Sequence, residues 1–125
     1  MTAPVTVVLI DGHSETRAAL TSAFGRDPEF DLLANTADAD EAVGLCRNHR
    51  PRVILVDARR LEQPAESCRA LAAASPASRL VVFATFFRPG EQRQYMEIGA
   101  AACLLKGEPF RDLAKRLKAL AESIE

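Results

Sequence analysis

A chain of 125 residues, 48% hydrophobic and 26% charged, has the make-up of one ordinary globular domain with a single core. A formal net charge of −1 and no basic stripe argue against nucleic-acid binding by this domain, and no apolar stretch approaches the ~20 residues of a membrane helix. With no charged-then-apolar leader and no CxxC pair, Cys46, Cys68 and Cys103 read as reduced, mostly buried residues of a cytoplasmic protein, not as disulfide or zinc ligands.

Val5–Ile10 is a continuous apolar run, as a strand buried on both faces should be, and it stops at Asp11. Ser14, with Glu15 behind it, is expected to cap a helix through about Phe24, with Ala18, Leu20 and Phe24 among its apolar contacts. Gly25 is the expected stop and Asp27-Pro28 a turn. A short strand over Phe30–Ala34 follows, then an Ala-rich helix over Ala37–His49 ended by Pro51. Val53–Val56 is the third strand and stops at Asp57. Ala58–Gln63 reads as a loop, and Pro64 suits the first turn of a helix reaching about Ala74. Leu80–Ala84 is a fourth strand stopping at Thr85, and Pro89 suits the start of a helix that runs to Ile98 before Gly99. Ala101–Leu105 is a fifth strand stopping at Lys106. Phe110, Leu113, Leu117, Leu120 and Ile124 then recur at alternating steps of 3 and 4, the pattern of an amphipathic helix.

Strand and helix alternate five times. That order implies an α/β fold: a five-stranded parallel sheet covered on both faces, with right-handed crossovers, as one domain over residues 1–125. Strand order 2-1-3-4-5 is expected, a flavodoxin-like (βα)5 three-layer sandwich with its ligand crevice between strands 1 and 3. Asp11 and Asp57 then lie side by side, and Asp11, Asp57, Thr85 and Lys106 all fall on the carboxyl edge, where open α/β sheets bind ligands. Two carboxylates, a hydroxyl and an ammonium there suggest phosphoryl chemistry. Each residue also has a plainer reading. Asp57 and Asp11 could cap helices, Thr85 could bond to its own loop, and Lys106 could be a solvated terminus. His13 is expected to shape the first loop instead of binding metal. Phe86-Phe87 fits core or partner patch equally, and Arg111, Lys115, Arg116 and Lys118 read as a solvated helix face.

Leu9-Ile10-Asp11-Gly12-His13, Val53-Ile54-Leu55-Val56-Asp57, Ala84-Thr85 and Gly99-Ala100-Ala101-Ala102-Cys103-Leu104-Leu105-Lys106, in that order, carry a resemblance that covers essentially the whole chain. The sequence resembles a response-regulator receiver domain of the CheY-like superfamily, most of all receivers that precede LuxR-type helix-turn-helix domains. The resemblance implies that Asp57 is the phosphoacceptor, attacking a phosphohistidine on a sensor histidine kinase or phosphotransfer protein. It implies that Lys106 pairs with phosphoryl oxygens, and that the Thr85 hydroxyl binds one of them after transfer. Mg2+ would be held by Asp11, Asp57 and the backbone carbonyl of Arg59.

Three departures stand out. The family's second acid after strand 1 is Gly12, which implies Mg2+ affinity at least tenfold lower, about 1.4 kcal/mol, or lost. The loop Ala58-Arg59-Arg60-Leu61-Glu62 lacks the usual Met-Pro and Gly; its two arginines read either as part of a solvated loop, the plainer account, or as positive charge where metal binds weakly. Cys103 replaces the usual aromatic three residues before the lysine. The leading expectation is therefore an atypical receiver that acts on a downstream protein target through helix 4, strand 5 and helix 5. That face and the first helix are possible homodimer surfaces. The alternative is a phosphorylation-independent pseudo-receiver acting as an interaction scaffold. A small ligand-binding or enzymatic flavodoxin-like domain is disfavoured, because neither GxGxxG nor GxxxxGK[ST] follows strand 1. No output domain is expected after the last helix; the chain reads either as a stand-alone receiver or as a fragment cut before a DNA-binding domain.

Overall fold

The computed structural model describes residues 3–123. In chain order the elements are β1 (Val5–Ile10), α1 (Ser14–Gly25), β2 (Phe30–Thr36), α2 (Ala39–His49) and β3 (Val53–Val56). A 3-10 turn (Ala58–Arg60) leads to α3 (Pro64–Ala74), β4 (Arg79–Ala84), α4 (Glu91–Ile98), β5 (Ala100–Leu105) and α5 (Phe110–Glu122). Ile124, the last apolar position of the expected α5 series, lies outside the described residues.

The strands form one parallel sheet in the order β2-β1-β3-β4-β5, as expected. Val7–Ile10 of β1 and all four residues of β3 are fully buried. Strands covered on both faces need no polar alternation, which is why these runs are continuously apolar. One core lies under α2, α3 and α4, where Val8, Ile10, Ile54, Val56 and Val82 meet Cys46, Cys68, Leu71 and Tyr95. The other lies under α1 and α5, where Val7, Leu9, Leu55, Val81 and Phe83 meet Phe24, Ala114 and Leu117. Phe24 packs edge-on against both Phe30 and Phe110, with ring centroids 5.2 and 5.0 Å away.

Several boundaries differ from expectation for local reasons. His13, not Ser14, caps α1: its Nδ1 accepts from the Thr16 N–H at 3.1 Å and hydrogen-bonds the Thr16 hydroxyl at 2.8 Å. Ala18 is exposed, so it is no core contact, and Gly25 remains inside the helix with Arg26 as right-handed cap. β2 runs on to Thr36 because Asn35 and Thr36 still pair with Leu9 and Ile10. α2 starts at Ala39, where the Asp38 carboxylate accepts from the Asp40 N–H at 3.1 Å. Pro89 does not open α4. The chain turns through Gly90 at φ 82°, a left-handed conformation that suits glycine, and helix begins at Glu91. β4 and β5 each begin one residue earlier than expected.

Burial keeps the cysteines as thiols. It pushes Cys46 up to about 11 and Cys68 up to about 12, and raises Cys103 in the same direction. Iodoacetamide at about pH 8 is expected to spare Cys46 and Cys68 in the folded chain and to label both in urea, read by intact mass. In the unfolded chain these thiols ionise at ordinary values, so the folded state alone holds their protons above pH 9. Stability should therefore fall as pH rises from about 9 to about 11, seen as a lower urea midpoint.

Candidate functional site

The sheet's hydrogen-bond ladder runs one residue past three strand ends, and this carries the polar residues to one edge. The Asp11 N–H donates to the Thr36 carbonyl at 3.0 Å, Asp57 to Ile10 at 2.9 Å, and Lys106 to Ala84 at 2.8 Å. Gly107, at φ 96°, then turns the chain away directly after Lys106.

These anchors bring three of the four strand-end side chains together. Lys106 Nζ donates to Asp57 Oδ2 at 2.6 Å and lies 2.8 Å from Asp11 Oδ2. The second approach is an ion pair whose direction falls short of a hydrogen bond, and it leaves Asp11 Oδ2 without a donor among the described residues. Asp11 is completely buried and Asp57 is 3% exposed. Backbone donors hold the other carboxylate oxygens: His13 N–H reaches Asp11 Oδ1 at 2.8 Å, and Arg59 N–H reaches Asp57 Oδ1 at 3.2 Å. Asp11 thus anchors the first loop, while His13 caps the helix that follows.

Thr85 stands apart from this cluster. It is exposed and lines a depression of about 330 Å³ with Asp57, Arg59, Arg60, Ala84 and Phe86. The two arginines after Asp57 take different positions. Arg59 spans to the β4–α4 loop: its Nη1 donates to the Phe86 carbonyl at 2.9 Å, its Nε lies 3.6 Å from Glu91, and its guanidinium sits 4.1 Å over the Phe86 ring. Arg60 stays at the site, with Nε 3.9 Å from Asp57 Oδ2. The aromatic pair is divided, Phe87 packing edge-on against Tyr95 at 6.5 Å while Phe86 stays 55% exposed beneath Arg59. Cys103 Sγ points to the Gln92 carbonyl at 3.8 Å and ties β5 to α4. The basic residues of α5 behave as a solvated face, with Arg116 paired to Glu108 and Lys118 to Glu29.

Sequence reasoning missed Arg17, whose Nη1 donates to the Asp11 carbonyl at 2.7 Å. Its place one turn into α1, after the loop that Asp11 opens, was the available signal.

Against solved structures, the chain is similar to the receiver domain of the response regulator NarL from Mycobacterium tuberculosis, with TM-score 0.89 and 23% identity over 98% of this chain and all of that one. It is also similar to the response-regulator domain of Thermotoga maritima CheB, with TM-score 0.82 and 17% identity over 98% of this chain and 99% of that one. This is the receiver-domain fold of response regulators. Curated relatives agree with the fold. The transcriptional activator DevR/DosR of M. tuberculosis is 27% identical over 91% of this chain. A protein-glutamate methylesterase/protein-glutamine glutaminase of Rhizobium johnstonii is 29% identical over 98%. The chain spans 53% and 38% of the length of these two proteins. No protein-family model matches the sequence.

Receiver domains generally bind Mg2+ at this acidic edge. The residues here do not fit that ion. Mg2+ wants an octahedron of oxygens, whereas the two carboxylates already share the Lys106 ammonium and Asp57 has a second cation beside it in Arg60. No group of three or more His, Cys, Asp or Glu among the described residues is placed to hold a metal ion. A side chain at Gly12 would start 3.2 Å from Arg60 Cβ, so the place from which a further carboxylate would extend is crowded by that arginine. Arg59 reaches Asp57 through its N–H and the neighbouring loop through its guanidinium.

Proposed function

We propose that this receiver domain works in two-component signalling, with Asp57 as its phosphoacceptor. One observation carries the reading: a buried carboxylate that lines a surface depression and accepts from an ammonium at 2.6 Å, on the carboxyl edge of a parallel sheet. Phosphoryl transfer asks little of a protein beyond positioning and charge neutralisation. A carboxylate oxygen of Asp57 attacks phosphorus, and the bond to the donor breaks. On a sensor histidine kinase or phosphotransfer protein that donor is a phosphohistidine. Lys106 neutralises charge on the phosphoryl oxygens, and the Thr85 hydroxyl at the rim donates to one of them. The chemistry is transfer to and loss from Asp57, with no separate substrate turned over.

The output runs through the β4–α4 loop, because Thr85, Phe86 and the Arg59 bridge all meet there. A downstream protein target would then read α4 and the end of β5, where Met96 and Leu105 are exposed. A phosphorylation-independent scaffold is the second reading, favoured by Gly12 and by a carboxylate pair that already has its counter-charges.

Incubation with acetyl phosphate separates the two. Wild type is expected to gain one phosphoryl group by intact mass, and Asp57→Asn none, since the amide keeps the shape and loses the nucleophile. An unmodified wild type would count against the phosphoacceptor reading, and partner binding left identical by Asp57→Ala would then favour the scaffold.

A further inference from the structure

We propose that the Arg60 guanidinium takes the place of a divalent cation at this site, so that Asp57 accepts a phosphoryl group without Mg2+. The inference rests on the phosphoacceptor reading above and adds the identity of the neutralising charge.

Charge is the first argument. Asp11 and Asp57 supply two negative charges, and Lys106 and Arg60 supply two positive ones within ion-pairing distance. A divalent ion entering this cluster would meet a balanced site, and a nearby like charge disfavours it. Packing is the second. A Cβ on Gly12 would sit 3.2 Å from Arg60 Cβ, 3.8 Å from its carbonyl oxygen and 3.9 Å from its Cγ. Glycine at 12 and the stem of Arg60 therefore belong to one arrangement: an acid at position 12 would begin in tight contact with the arginine, which would have to give by a few tenths of an ångström.

Freedom of movement is the third argument. Arg59 is committed to Phe86 and Glu91, whereas the Arg60 side chain is 51% exposed and held only loosely to Asp57 at 3.9 Å. It can rotate onto an incoming group, and its planar fork matches two phosphoryl oxygens at once. Phosphorylation raises the demand for it, because an acyl phosphate carries about −2 where the carboxylate carried a single charge. With acetyl phosphate the balance is simple. The Asp57 oxygen bonds phosphorus, the P–O bond to acetate breaks, the electron pair leaves with acetate, and no proton moves.

The test measures acetyl phosphate labelling by intact mass, in EDTA and in excess Mg2+. Wild type should label at rates within about twofold in the two conditions. Arg60→Ala should label about tenfold more slowly in EDTA, with Arg60→Lys recovering part of the loss. Mg2+ should leave the wild-type Tm unchanged, and should raise that of Gly12→Asp/Arg60→Ala, in which an acid replaces the cation. Wild-type labelling that needs Mg2+ would overturn the inference and leave the phosphoacceptor reading standing. Labelling in neither condition would remove both. Arg60→Ala labelling as fast as wild type in EDTA, or a wild-type Tm that climbs with Mg2+, would overturn the inference alone.

Discussion

Lys106→Met is expected to destabilise the domain by about 3 kcal/mol, because one ammonium serves two buried carboxylates. Its side chain is 13% exposed, against 0% for Asp11 and 4% for Asp57. Methionine keeps most of the stem's length but loses the ammonium, which also lies 4.8 Å over the Phe83 ring, so the loss is electrostatic more than steric. An intact buried ion pair contributes little net stability, but removing one partner leaves the other charged and unsolvated, and that asymmetry sets the size of the effect. Asp11 suffers most, since its Oδ2 has no donor among the described residues to fall back on. Asp11→Asn added to Lys106→Met should therefore recover about 1 kcal/mol or more, a coupling that urea denaturation of the four proteins in the cycle would measure. A loss below about 0.5 kcal/mol for Lys106→Met would mean an ammonium bathed in water, with no shared ion pair.

How far this site could be read from sequence follows from how local its causes are. A parallel strand buried on both faces writes itself as an unbroken apolar run, so β1 and β3 declared their ends, and Asp11 and Asp57 with them. The parallel sheet followed from the alternation; two common strand orders fitted it, and five strands in a chain of this length favoured 2-1-3-4-5, which puts Asp11 beside Asp57. What stayed hidden depends on pairs of residues that no period connects. Nothing local indicates that Arg60 packs over Gly12, that Arg59 leaves for the β4–α4 loop, or that Phe87 is packed while its neighbour Phe86 is exposed. Thr85 lies on the expected edge yet is exposed and outside the ion-paired cluster, which its place at a strand end does not encode. Helix starts failed for another reason. Serine is the commoner cap, but here a histidine ring nitrogen does the capping, and a left-handed Gly90 displaces the start that Pro89 suggested.

Phe24→Ala is expected to cost about 3–5 kcal/mol, the largest loss of any single truncation considered, and to leave phosphoryl labelling nearly untouched. The ring is 1% exposed and stands between Phe30 and Phe110, so the change removes two edge-to-face pairs and opens a cavity where α1 and α5 meet the sheet. The site lies elsewhere and is held differently. Asp57 and Lys106 are fixed by ladder bonds to Ile10 and Ala84, and neither bond involves α1 or α5. Phe24→Leu fills part of the cavity and should lose only about 1.5 kcal/mol, which keeps a folded protein available for assay. Acetyl phosphate labelling of that variant, well below its melting temperature, should stay within about twofold of wild type. A folded Phe24→Leu that labels tenfold more slowly would show that the α1–α5 core sets the geometry of the strand edge, and that the ladder bonds alone do not hold it.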